Sequence, residues 1–311
     1  MTRFILTRLL GSLPVLLCVT ALLFALLQVA PGDPATLMMK EHADPEVVMR
    51  LRAGMHLADP LWKRYPRFVW AALHGDLGQS YKLGRPVAGM ILEALPNTVA
   101  LALCALLVSW LLGAAAGTLA ALKPGAFIDR LVMGLSLTAV STPVFWSALL
   151  LQWFFAVKLG LLPVSGFFGF KYLILPSLTL GLASAGTVAR LARASLREAM
   201  DADYIRTARA KGLTELAVLT RHALKNALPP VLTVMALQAA SLLSGAVITE
   251  TVFAVPGVGR LSVEAIMARD MPLLQGAALT AAVMVILGNL AADVLVAIAD
   301  PRVRKDWGKL L

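Results

Sequence analysis

The sequence predicts an all-α membrane protein with six transmembrane helices. Mean hydropathy is +0.79. Of 311 residues, 59% are hydrophobic and 15% charged, against roughly 25% charge in soluble domains. Apolar runs of about 20 residues, the length that crosses a hydrocarbon core, recur along the chain. In lipid the backbone must satisfy its own hydrogen bonds, so such runs are read as helices.

Reading between charged positions places the spans at 9–30, 97–122, 131–157, 173–189, 228–249 and 273–292. Arg3 and Arg8 precede the first run, but its apolar length exceeds a signal-peptide core of about 7–15 residues, so it is expected to stay as a membrane helix. Gly113 and Gly117 have the GxxxG spacing that permits close helix contact. The fourth run is the shortest and extends toward Ala192 if Arg190 snorkels. Pro14, Pro143 and Pro176 punctuate the runs, which is tolerated where neighbouring helices satisfy the freed carbonyls.

The chain divides into a tail and first span (1–30), an extracytoplasmic helical segment (31–96), a core of five helices (97–299) with a cytoplasmic loop at 193–227, and a cytoplasmic tail (300–311). Arg3, Arg8, Lys123, Arg130, the basic residues of 190–225 and those of the tail fall on one side, against Lys158, Lys171, Arg260 and Arg269 in short loops on the other. The positive-inside rule then puts both termini in the cytoplasm. In 31–96, Asp44-Pro45 has helix-opening order, and Leu61, Tyr65, Phe68 and Leu73 share an apolar stripe interrupted by Pro66. "HGDLGQS" (74–80) is read as a turn.

Catalytic chemistry finds no support. Phosphate-loop, HExxH, CxxC and GxSxG patterns are absent from the sequence. His42, His56, His74 and His222 are scattered, so no metal site is expected. Glu250 and Asp293 fall at span ends and are expected at the interface. The remaining polar groups within spans are neutral, and Ser141, Thr142, Gln152, Gln238, Ser241, Ser244 and Asn289 are the candidates for lining a translocation path. Neutral lining suits a variable solute better than a selected ion, and opposes a proton- or sodium-coupled carrier.

Positive charge gathers in "YIRTARAKGLTELAVLTRHALKNALPP" (204–230) within a net charge of +10. Asp201 reads as an N-cap, Asp203 as a first-turn acid and Gly212 as a helix-ending residue, giving a short helix over 202–211. Thr214 caps a second helix running to about Ala227, and Pro229 and Pro230 open the fifth span. Ile205, Ala208 and Gly212 form a small face, with Arg206 and Arg209 on another. DNA binding is a poor reading, because two short helices fused to spans lack a base-reading context. Lipid anchoring explains the charge but not the caps. Docking into a groove of a soluble partner explains both.

"RTARAKG…HALKNALPP" resembles the coupling loop of ATP-binding-cassette importer permeases, above all the first permease of the dipeptide, oligopeptide and nickel uptake family. The likeness extends along the chain through "APGDP" (30–34), "GDLGQS" (75–80), "LPNT" (95–98), "TPVFW" (142–146), "ETVFAVPGVGRL" (250–261), "RDMP" (269–272) and "DPRVR" (300–304). The sequence departs from the family at "MHLADP" (55–60), where a Leu-Gly-Leu-Asp-type run is usual. The resemblance implies a type I importer permease fold, with Asp203, Tyr204, Ile205, Arg206, Thr207, Ala208, Arg209, Lys211 and Gly212 forming the contact with an ATPase subunit. Ala208 and Gly212 would permit that partner's close approach. It implies a second permease, two ATPases that bind ATP and Mg, an extracytoplasmic substrate-binding protein, a bacterial or archaeal plasma membrane location, and no cofactor or enzymatic activity in this chain. Peptides are the expected cargo. Nickel or another small solute is the alternative within the family, and a self-contained secondary carrier or a membrane scaffold the alternative outside it.

Overall fold

The computed structural model describes residues 2–29, 46, 49 and 59–299. The expectations for Asp44-Pro45, "APGDP" and the tail with "DPRVR" fall outside the described residues. Among the described residues the regular structure is helical, in this order: α1 (Thr2–Val29), α2 (Leu61–Leu73), α3 (Val87–Leu122), α4 (Phe127–Ser141), α5 (Val144–Leu151), α6 (Lys171–Asp201), α7 (Asp203–Ala210), α8 (Glu215–Ala217), α9 (Leu224–Gly245), α10 (Val247–Val252), α11 (Val258–Ala268) and α12 (Met271–Ala299). By packing, Met1–Thr98 with Pro256–Met284 form one compact unit, and Val99–Val255 with Val285–Leu311 a second.

Four helices among the described residues are long and apolar enough to cross a membrane: α1, α3, α6 and α12. The third expected span is not one rod. α4 and α5, continued by a π-helical stretch at Gln152–Lys158, meet at an angle of 111°. Pro143 causes the break, since its ring holds Thr142 extended at ψ 129°. Thr142 closes α4 by donating its amide (2.9 Å) and its hydroxyl (2.7 Å) to Thr138 O. Counted as one broken span, this pair makes five. The segment expected as the fifth span is α9 followed by α10.

In the second unit α6 is the central helix, and close approach is its organising feature. Membrane helices gain little from the hydrophobic effect against one another, so contact area decides their packing. A methyl group on Gly113 of α3 would lie 2.7 Å from Val188 Cβ, and one on Gly117 would strike Ala189 O, so the GxxxG pair sits directly on α6. α6 returns the same device: Gly181 faces Val108 of α3, and Gly186 faces Ser136 O of α4. Gln238 of α9 ties three helices, accepting from Ser109 Oγ (3.2 Å) and donating to Ser184 O (3.0 Å).

In the first unit α2 leans on α1. Tyr65 Oη donates to Leu17 O at 3.0 Å, and the Phe24 ring packs against Tyr65 and Phe68 with centroids 5.6 and 6.2 Å apart. α2 runs unbroken through Pro66. Only half of its expected stripe is used, because Leu61 and Leu73 remain exposed.

Two quoted motif pairs, far apart in sequence, meet in this unit. The buried Asp270 carboxylate of "RDMP" accepts the Ser80 hydroxyl of "GDLGQS", with the Tyr81 amide at 3.1 Å and the Lys82 amide at 3.3 Å. Asn97 of "LPNT" donates to Pro256 O (2.8 Å), and the Thr98 hydroxyl accepts the Val258 amide (2.9 Å). Polar side chains thus hold two non-helical turns against helix ends, where backbone groups lack helical partners.

Candidate functional site

The loop after α6 is built by breaks that the sequence encodes. Ala202 is extended at ψ 151° and separates α6 from α7. Asp201, expected as the N-cap, is instead the last residue of α6, and Ala202 occupies the cap position without a side-chain bond. α7 ends at Gly212, whose φ of +78° suits glycine. Gly212 N donates to Arg209 O (2.9 Å) and Leu213 N to Ala208 O (3.4 Å), the paired bonds of a Schellman ending. Thr214 caps the next helix as its spacing suggests, accepting from the Ala217 amide at 3.4 Å.

The second helix departs from expectation. After α8 the chain widens into a π-helical stretch at Val218–Ala223 and runs directly into α9. Pro229 and Pro230 lie inside α9 rather than at its start. The loop is therefore mechanically continuous with a long helix.

Orientation within α7 corrects a second expectation. Ile205 is fully buried and Ala208 nearly so, packed with Ala121, Leu196, Ala199, Val218, Ala223 and Ala227. Two members of the small face, Ile205 and Ala208, serve close contact with this chain's own helices, so Ala208 is covered, while Gly212 stays open with nothing within 4 Å of a methyl group there. Asp203, Tyr204, Arg206, Thr207, Arg209, Lys211 and Gly212 are exposed. Leu216, 71% exposed, adds an apolar residue that the sequence reading did not select. Its spacing of four from Gly212 was the available signal.

Charge on this surface is partly committed. Arg209 grips Glu215 with Nε–Oε1 at 2.8 Å and Nη2–Oε2 at 3.2 Å, closing the turn between α7 and α8. That hydrogen bonding raises the Arg209 pKa and lowers the Glu215 pKa. Arg206 makes only a 3.5 Å contact with Asp203 and projects outward.

Behind the loop sits a pair the sequence reading missed. Asp129 of α4 is 4% exposed by side chain and accepts Arg193 of α6 (Nη2–Oδ2 2.7 Å) and the Gly125 amide (2.8 Å). The residues are 64 apart in sequence, and nothing local marks them.

The candidate path residues differ in their surroundings. Gln152 is buried and donates to Val164 O (2.9 Å) and Val252 O (3.3 Å), pinning the connection that follows α5. Gln238 is likewise consumed between helices. Ser141, Ser241 and Asn289 are exposed, and Thr142 is half-buried with its hydroxyl bonded to Thr138 O. Ser244 lies in α9 with its side chain outside the described residues. Glu250, expected at an interface, is fully buried in α10, while Asp293 is half-buried.

Comparison with known proteins agrees with this architecture. Residues 111–305 match the family described as binding-protein-dependent transport system inner membrane component, and residues 1–102 match its N-terminal companion. The dipeptide transport system permease protein DppB of Escherichia coli (strain K12) is 38% identical over 336 residues, covering 98% of this chain and 99% of that one. A Brucella abortus (strain 2308) protein, provisionally named a peptide transport system permease, is 42% identical over 314 residues, covering 98% and 100%. Among solved structures, a chain of the MetNI methionine ABC transporter in an inward-facing form superposes with a TM-score of 0.58 at 20% identity, covering 68% of this chain and 96% of that one. The fold is that of an ABC importer permease. The chain is a member of the binding-protein-dependent transport system inner membrane component family, a multi-pass membrane protein that serves as a permease subunit.

Proposed function

We propose that this chain forms one half of the path by which an ATP-driven importer takes up di- or oligopeptides. The observation that carries the reading is its end-to-end likeness to relatives named for dipeptide and peptide transport. The partners are a second permease of related sequence, two ATPases that bind ATP and Mg, and an extracytoplasmic binding protein. Both termini and the 201–227 loop face the cytoplasm of a bacterial or archaeal cell, as the basic residues require. The chain itself hydrolyses nothing.

Coupling runs through α7. Tyr204, Arg206, Thr207, Lys211 and Leu216 present an exposed, mixed apolar and basic surface, suited to a groove on a soluble subunit. Ile205 and Ala208 lock the same short helix to α6 and α9, so displacement of α7 moves the spans. Along the path, Ser141 and Asn289 are the better candidates because they are exposed, whereas Gln152 is buried and bonded to Val164 O and Val252 O.

The test is a pair of variants in the reconstituted complex. Gly212→Asn tolerates positive φ and is expected to retain peptide-stimulated ATP hydrolysis. Gly212→Arg places a bulky cation at the α7 end and is expected to abolish it while the chain stays membrane-inserted. Normal stimulation in Gly212→Arg would remove α7 as the coupling element.

A further inference from the structure

The first unit contains a cavity of about 520 Å³ between the start of α3 and the segment leading through α11 into α12. Its volume lies within the range of small-ligand sites, roughly 300–1,000 Å³. Each wall carries one arginine and one glutamate: Arg85 with Glu93 on the α3 side, Arg260 with Glu264 on α11. We propose that this cavity binds a short zwitterionic peptide, its carboxylate taken by the arginines and its ammonium by the glutamates.

Four arguments support the site. The walls are pre-built, because Asn97 holds Pro256 O, the Thr98 hydroxyl accepts the Val258 amide, and Asp270 fastens the 80–82 turn. The ion pairs that face the cavity are readily exchanged: the four side chains are between 36% and 65% exposed, and pairs so wet contribute little to the fold. Each arginine meets its glutamate through one nitrogen, Arg85 Nη2 and Arg260 Nε, and a ligand carboxylate can replace the glutamate there and engage the guanidinium fork with both oxygens. Finally, the signs are balanced. Three cations, Lys82, Arg85 and Arg260, stand against three carboxylates, Glu93, Glu264 and Asp270, the last already bonded to the Ser80 hydroxyl and the Tyr81 and Lys82 amides. A lone anion or cation would satisfy one member of each pair and strand the other. A zwitterion satisfies both, and the chain between its termini rests on the apolar floor around Ala94 and Leu261.

The site rests on the peptide-import reading and is tested so that the two can fail separately. The complete importer, with its binding protein at saturating concentration, is reconstituted in liposomes with labelled dialanine. Uptake and ATP hydrolysis are measured together. R260Q combined with E264Q is expected to lower uptake per ATP hydrolysed about tenfold. The reversed pair, R260E with E264R, restores the salt bridge and is expected to remain defective in uptake. Unchanged uptake per ATP in the first variant, or its recovery in the reversed pair, overturns the site and leaves the import reading intact. A parallel loss of hydrolysis in both variants also overturns it, because the surface would then be where the binding protein docks. An unmodified complex that imports no peptide overturns the import reading and this site with it.

Discussion

Arg193 clasps Asp129 in a side-on pair, Nε to Oδ1 and Nη2 to Oδ2, across the packed faces of α4 and α6. The carboxylate also accepts the Gly125 amide, so one buried acid fixes the turn between α3 and α4 to the helix that feeds α7. Packing there is otherwise by small residues, which define distance well but axial register poorly. The ion pair supplies register.

Breaking that pair from one side strands a largely buried charge. Asp129→Ala is expected to lower the melting temperature of the purified protein, while Asp129→Ala combined with Arg193→Ala costs less than the single change. Arg193→Lys keeps the charge, loses the fork and falls between. Thermal unfolding in detergent reads all four proteins. Equal losses in the single and double variants would show that the two residues do not act together.

Single methyl groups probe the close contacts. Gly117→Ala pushes a carbon into Ala189 O and is expected to cost about 1–3 kcal/mol. Gly134→Ala, where nothing lies within 4 Å, is expected to be neutral or to stabilise by up to about 1 kcal/mol through helix propensity. The same melting assay compares them, and equal effects would contradict the packing described for α3 on α6.

How much of this was legible from the residues depended on whether the cause was local. Gly212 and Thr214 were readable because a positive φ and a helix cap each rest on one residue and its neighbours. The apolar runs announced α1, α3, α6 and α12 for the same reason. Pro143 was visible, but an apolar run with proline fits a tolerated kink as well as a 111° break, and tertiary contact decides. The inward turn of Ile205 and Ala208 depended on α9 passing behind α7, which rests on the π-helical stretch at 218–223. Asp129–Arg193 and Ser80–Asp270 join positions 64 and 190 residues apart. Near span ends such charges have an ordinary interfacial reading, and nothing in one sequence pairs them.

Asp270 has only acceptors to offer, and its neighbours are donors. Asp270→Asn would turn an amide group toward the donors Ser80, Tyr81, Lys82 and Leu273. A loss of about 1–3 kcal/mol is expected, with faster proteolysis in the 80–84 turn. Protease resistance equal to the unmodified protein would contradict the anchoring role.

The Arg209–Glu215 clasp predicts an acid-sensitive loop. Hydrogen bonding from Arg209 holds the Glu215 carboxyl below its ordinary value of 4.5. The clasp is therefore fully present above that ordinary value and is lost as pH falls through the lower, folded-state value. Arg209 stays charged throughout this range, so the acid limb belongs to Glu215. A spin label on Lys211→Cys is expected to gain mobility on acidification below about pH 4.5, and Glu215→Gln is expected to make the label mobile at every pH. A label whose mobility is unchanged on acidification would contradict the clasp.

The most direct test of the account is ATP-dependent uptake of labelled dipeptide into liposomes. The chain is supplied alone, with its partner permease, and then with ATPases and binding protein. Uptake is expected only in the complete set with ATP and Mg, and collapse is expected with Gly212→Arg. Uptake by the chain alone under an ion gradient, with no ATPase present, would contradict the account.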